Sequence, residues 1–259
     1  MILLLSFLIM LLGVLLLSRL VNYWLSFILS QRWYQILLWP GVVIHELSHL
    51  LGALLTFTKV TGFSLLPKTA SGGSVLGSVI HKATGNPATL VLISIFPFLG
   101  GSFILWVLAI LLVPAIPLEA PSVLIAPDVN FLTISLNYFT AWWSFVVLFW
   151  QALAFTAWQT WLFLYLAIAI GAHLAPSNHD LGHTAAGLTA MSLLVILIVF
   201  GAELVGQSLG GIITNWLAGA LNFFAPLISY SLALLIGIAI LIGIVVGIKR
   251  LNNTVVWWG

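Results

Sequence analysis

The sequence predicts an all-α polytopic membrane protein with about six transmembrane helices and a short re-entrant or interfacial β-hairpin after the second, and three observations predict it. Of 259 residues, 63% are hydrophobic and 5% charged, whereas a soluble domain carries roughly 25% charge. The apolar residues come in long uncharged runs, and about 20 such residues cross a hydrocarbon core about 30 Å thick. The runs are continuous rather than alternating, which argues against a transmembrane β-barrel.

Hydropathy places the spans near residues 2–18, 36–57, 88–113, 141–173, 184–206 and 225–248. The first lacks a basic leader and a small-x-small cleavage site, and Arg19 follows it directly, so it reads as a helix of the mature chain rather than a signal peptide. With a cytoplasmic N-terminus, Lys59, Lys68, Lys82, Lys249 and Arg250 fall inside and Arg19 and Arg32 outside, five against two, which puts both termini in the cytoplasm. An extra interfacial or re-entrant element within residues 19–35 would reverse that count. Residues 114–140, with Pro114, Pro117, Pro121, Pro127, Glu119 and Asp128, then form the long external loop. Residues 60–86 are too interrupted by Gly, Pro, Ser, Thr and charged groups to span. Runs 60–66 and 74–81 read instead as β-strands joined across Ser71-Gly72-Gly73. Trp142, Trp143, Trp158 and Trp161 are expected in interfacial belts. Gly243 and Gly247 form a small-xxx-small pair suited to packing within the chain. No repeat or separate soluble domain interrupts what reads as a single integral membrane domain, 1–259.

The chain has no cysteine, which leaves His, Asp and Glu as the strong metal ligands. Seven dispersed Lys and Arg form no nucleic-acid patch. Within the second span lies His45-Glu46-Leu47-Ser48-His49. On a helix the two histidines are one turn apart on one face and reach a single zinc ion. Glu46 beside them is placed to take a proton from water as that water attacks a carbonyl. At this composition two histidines so spaced around an acidic residue would arise by chance about 0.003 times per chain, and an acid at a helix centre costs roughly 3 kcal/mol on insertion scales. A hydrolytic zinc site takes three protein ligands and keeps a fourth position open. The third is sought in the polar cluster Pro176-Ser177-Asn178-His179-Asp180-Leu181-Gly182-His183, with Asp180, His179 and His183 as candidates. Read alone, that cluster is equally a solvated loop with Asn178 or Asp180 capping a helix. His49 is about 12 Å from a helix end at Phe57, so any partner must reach below the membrane surface. Glu203 reads as an interfacial or helix-packing residue, His81 as part of the polar surface of the hairpin and His173 as an interfacial histidine.

The motif Val43-Ile44-His45-Glu46-Leu47-Ser48-His49-Leu50, followed by a Gly-Gly hairpin and a distal Asp, resembles the site-2 protease family of intramembrane metallopeptidases (peptidase M50), most closely its compact M50B-like branch. The resemblance covers residues 36–190 and is strongest in the zinc motif; Pro97-Phe98-Leu99-Gly100-Gly101 loosely resembles the start of the family's next core helix. It implies one Zn2+ held by His45, His49 and Asp180, Glu46 as general base, and a transmembrane or membrane-associated polypeptide as substrate. Asn178, His179 and His183 become auxiliary groups. Here Leu181 stands where better-known members have a glycine directly after the aspartate, and no PDZ-like insert is present. A strand around Ser74, Val75, Leu76 and Val79 is expected to receive the substrate in extended form. The corresponding location is the plasma membrane of a prokaryote. Two other readings compete: a CAAX-type membrane endopeptidase using Glu203, and a non-proteolytic metal-binding membrane protein, whether pseudoprotease, assembly factor or transporter.

Overall fold

The computed structural model describes residues 2–66, 68–70, 73–75, 77–81, 87–113, 115, 131–175, 197, 201 and 207–255. They form helices α1 (Ile2–Ile28), α2 (Gln31–Leu55), α3 (Pro87–Leu112), α4 (Phe131–Gln151), α5 (Trp158–Gly171) and α6 (Gln207–Val255), with four short strands between α2 and α3. The stretches Leu8–Ile28, Gln31–Leu55, Thr89–Leu112 and Asn222–Leu251 are each long and apolar enough to cross a membrane. The chain is a helical membrane protein. Of the expected span 184–206, all but Leu197 and Gly201 lies outside the described residues.

The first helix does not stop at Ser18 but runs on to Ile28, where Ser18 and Asn22 face protein while Arg19 is exposed. Ser18 is fully buried and its Oγ accepts from the Ala175 N–H at 2.9 Å. Asn22 Nδ2 donates to the Ala172 carbonyl at 2.9 Å. Tyr34 of α2 in turn donates to Asn22 Oδ1 at 2.7 Å. At the far end, Lys249 Nζ donates to the Phe27 and Ile28 carbonyls at 2.9 and 3.3 Å, satisfying acceptors that the helix end leaves without intrahelical donors. A two-residue turn, Leu29-Ser30, then starts α2.

The expected span 141–173 is two helices, α4 and α5, separated at residues 152–157. One helix of that length would measure about 50 Å, well beyond a core of about 30 Å. Trp161 Nε1 donates to the Phe155 carbonyl at 2.9 Å across the break. Helix α4 also begins at Phe131, inside the expected external loop, once the last proline of that loop has passed. Trp142 is in the core rather than an interfacial belt, whereas Trp143, Trp158 and Trp161 are exposed.

The core joins all six of the described helices. At its centre the ring of Phe149 (α4) lies 6.4 Å from Phe163 (α5) and 5.8 Å from Tyr230 (α6). Gly243 faces Trp24 of α1, in keeping with packing inside the chain, while nothing lies within 4 Å of a Cβ built on Gly247.

The hairpin is present in two sections. Strand β1 (Val60–Ser64) pairs antiparallel with β4 (Ser78–His81), and β2 (Lys68–Ala70) with β3 (Gly73–Val75). Its outgoing arm is therefore broken around Gly77 rather than continuous over 74–81. Helix α2 hands the chain to β1 through Phe57, which has a positive φ of 53°, while the Thr58 N–H reaches back to the Ala53 carbonyl at 2.7 Å. A left-handed residue at this point closes the helix end and reverses the chain. The hairpin consequently folds back along α2, and Leu65 offers its carbonyl to Trp39 Nε1 at 3.0 Å.

Gly237 tests the packing of α4 on α6. A Cβ there would overlap the Trp150 indole, whose Nε1 donates to the Ala233 carbonyl at 2.9 Å. Gly237→Val is expected to cost about 1–3 kcal/mol through overpacking, lowering the unfolding temperature in detergent, while Gly247→Val leaves it unchanged.

Candidate metal centre

Helix α2 carries the motif between α3 and α5, and small residues let both neighbours approach. A Cβ on Gly41 would overlap the Ala169 carbonyl oxygen and come within 2.8 Å of His173 Nδ1. One on Gly52 would stand 2.9 Å from Phe96 Cγ. Ser48 turns its hydroxyl back to the Ile44 carbonyl at 2.7 Å, leaving a compact surface toward α3. Gly41, His45, Ser48 and Gly52 recur at helical spacing, so they share one face of α2.

That close approach brings two backbone carbonyls to the histidines. His45 Nδ1 lies 2.7 Å from the His173 carbonyl oxygen and His49 Nδ1 lies 3.0 Å from that of Ile93. A carbonyl can only accept, so each Nδ1 must carry a proton and donate it. In the neutral imidazole the lone pair then sits on Nε2, the arrangement by which outer hydrogen bonds orient metal-ligating histidines. The rings lie with centroids 4.8 Å apart and planes at 81°. Both residues are buried. Two imidazoles one turn apart, each with Nδ1 held by a backbone acceptor, would in their neutral form offer Nε2 to a zinc ion.

Glu46, half-buried, follows His45 in the same turn. A Cβ on Gly77 of the hairpin would stand 2.7 Å from Glu46 Cγ, 3.3 Å from its Cδ and 3.0 Å from Val42 Cγ1. The hairpin backbone therefore rests directly on the carboxylate-bearing side chain, and a side chain at Gly77 would have to displace it.

His45 and His49 lie one turn apart with their rings in contact, as their spacing predicts, and Glu46 follows His45 with its side chain against Gly77. Asn178, His179, Asp180 and His183 lie outside the described residues, as does Glu203. Among the described residues no group of three or more His, Asp or Glu gathers in a metal-binding arrangement. Ser74 and Val75 belong to β3 and Val79 to β4, while Leu76 lies outside the described residues. His173, expected at an interface, instead packs on α2 at Gly41, with its Nδ1 bonded to the Ala169 carbonyl at 2.9 Å. Its contribution to the site is its carbonyl. The contributions of Gly41, Gly77 and the Ile93 and His173 carbonyls were not read from the sequence. The four-residue spacing of Gly41 and His45 was the available signal.

No protein-family model, curated protein or solved structure matches this chain.

Because Gly41 sets the distance between α2 and α5, Gly41→Ala is expected to push the His173 carbonyl away from His45 and lower zinc affinity about tenfold or more. Competition with a chelator, using protein verified as folded, measures this.

Proposed function

We propose that this protein is an intramembrane zinc metalloprotease, resembling the site-2 proteases, that cleaves transmembrane or membrane-associated polypeptides. The observation that carries the proposal is the pair of Nδ1–carbonyl hydrogen bonds at 2.7 and 3.0 Å, which present Nε2 of both motif histidines for ligation beside Glu46. His45, His49 and Asp180 would hold one zinc. When bound, zinc supplies a Lewis acid that polarises a carbonyl and acidifies water.

The third ligand is supported by chain reach. Ala175 donates its N–H to Ser18 at 2.9 Å and stands two residues after the carbonyl that holds His45. Asp180 follows five residues later, a stretch that covers up to about 17 Å when extended. In α2, which ends at Leu55, His49 lies about 9 Å from the helix end. The site is therefore below the membrane surface, and water must reach it through a protein-lined cavity.

Glu46 accepts the proton of the attacking water and passes it to the leaving amine, so it must stay ionised and within reach of both. The hairpin covers it. Its position beside Trp39, Val42 and Glu46, all well inside α2, supports a re-entrant rather than an interfacial element. Among the described residues β4 pairs only with β1, so its second edge is open to an added strand. A peptide bond in a membrane helix is shielded by its own turn, and an unwound substrate needs partners for its backbone groups. Strand addition along 74–81 supplies them.

Glu46→Gln is expected to retain zinc while cleavage of a membrane-embedded reporter falls by about 10²–10⁴-fold or more. Undiminished turnover with zinc bound would remove Glu46 from this role, whereas zinc binding without cleavage by the parent protein would favour a non-proteolytic metal protein. Proline at Val75, Leu76 or Val79 is expected to impair cleavage with zinc content intact, and equal cleavage by all three folded variants would exclude strand presentation.

A further inference from the structure

Helix α3 contains Pro97, and a proline inside a helix has no N–H to give to the carbonyl four residues earlier. That carbonyl belongs to Ile93, which is 2% exposed and inside a membrane-spanning stretch. A buried carbonyl deprived of its donor is costly where no water or lipid can replace it. His49 Nδ1 lies 3.0 Å from this same oxygen. We infer that Pro97 is a positioning residue of the metal centre: by withholding its N–H it leaves the Ile93 carbonyl for His49, and so fixes the His49 proton on Nδ1 and the ligating lone pair on Nε2. The inference rests on the metal reading of His45 and His49.

The same device operates at the other histidine by a different route. Helix α5 ends at Gly171, and its closing turn uses Ala172 N–H to Ile168 O at 3.0 Å and His173 N–H to Ile170 O at 2.9 Å. The His173 carbonyl, beyond the last helical residue, is taken by His45 at 2.7 Å. One acceptor is thus made available by a helix terminus and the other by a proline within a helix that continues to Leu112. A proline serving only to bend α3 would have no reason to stand four residues after the one carbonyl that His49 meets.

The experiment separates the missing N–H from the ring. Pro97→Ala restores the donor; replacing Pro97 by lactic acid, the α-hydroxy analogue of alanine, removes the ring but supplies no N–H. Zinc affinity is measured by chelator competition, and the visible spectrum of the Co2+-loaded protein reports ligand geometry. Full-length protein is used throughout, with the His45→Ala/His49→Ala double variant as control. The alanine variant is expected to fold, since it relieves α3 of a helix breaker. It should lose zinc affinity about 10–100-fold, the usual effect of losing a partner of a metal-ligating histidine, and shift the Co2+ bands. The lactic acid variant should stay within about threefold of the parent, with its spectrum. Equal affinity and spectrum for Pro97→Ala and the parent overturn the inference, as does loss of metal by the lactic acid variant or failure of the alanine variant to fold. If the double variant holds zinc as well as the parent does, the metal reading itself falls, and this inference with it.

Discussion

The hydrogen bonds from His45 Nδ1 to the His173 carbonyl and from His49 Nδ1 to the Ile93 carbonyl are the contacts on which the organisation of this bundle turns. Inside a membrane a backbone carbonyl without a helical donor must find a partner in the protein. An imidazole that presents one nitrogen to a metal, the role proposed for His45 and His49, needs an acceptor for the other. Each need answers the other. The exit turn of α5 and the proline of α3 are sites of backbone vacancy, and both are met by side chains from α2.

Meeting them requires backbones to come closer than ordinary side chains permit. Gly41 and Gly52 provide that approach, the first toward α5 and the second toward α3. Helix α1 holds the other side of the α5 exit, with Asn22 taking the Ala172 carbonyl and Ser18 accepting from Ala175. Ser18 and Asn22, polar residues in an apolar helix, are thus attached to the segment that orients His45. Small residues and inter-helix hydrogen bonds recur in membrane proteins because lipid is as apolar as the helices, leaving packing and polar contacts to hold them together.

The hairpin extends this arrangement to the carboxylate. Phe57 in a left-handed conformation reverses the chain at the end of α2, and the returning strands reach Trp39 and Glu46. Gly77 interrupts the outgoing strand where it crosses Glu46, so the break in the ladder and the covering of the carboxylate are one feature. A side chain at that position would occupy the space beside the group proposed to move protons.

The sequence by itself determined the helical membrane class, because 63% apolar residues in uncharged runs admit no water-facing surface. It also determined the shared face of His45 and His49, since a four-residue spacing is enough for that on any helix, and the Gly-Gly hairpin, whose turn chemistry is local. Hydropathy alone did not find the end of α1 at Ile28, because Arg19, between the polar Ser18 and Asn22, looks like a span boundary until the partners of Ser18 and Asn22, about 150 residues away, are known. It merged α4 with α5 because the break at 152–157 contains neither proline nor glycine. Tertiary structure alone decided which nitrogen of each histidine is bonded to the backbone, since the deciding acceptors are backbone atoms, and every residue type has a carbonyl. It decided likewise that Gly77 lies on Glu46, a contact across 31 positions of chain that no local pattern encodes.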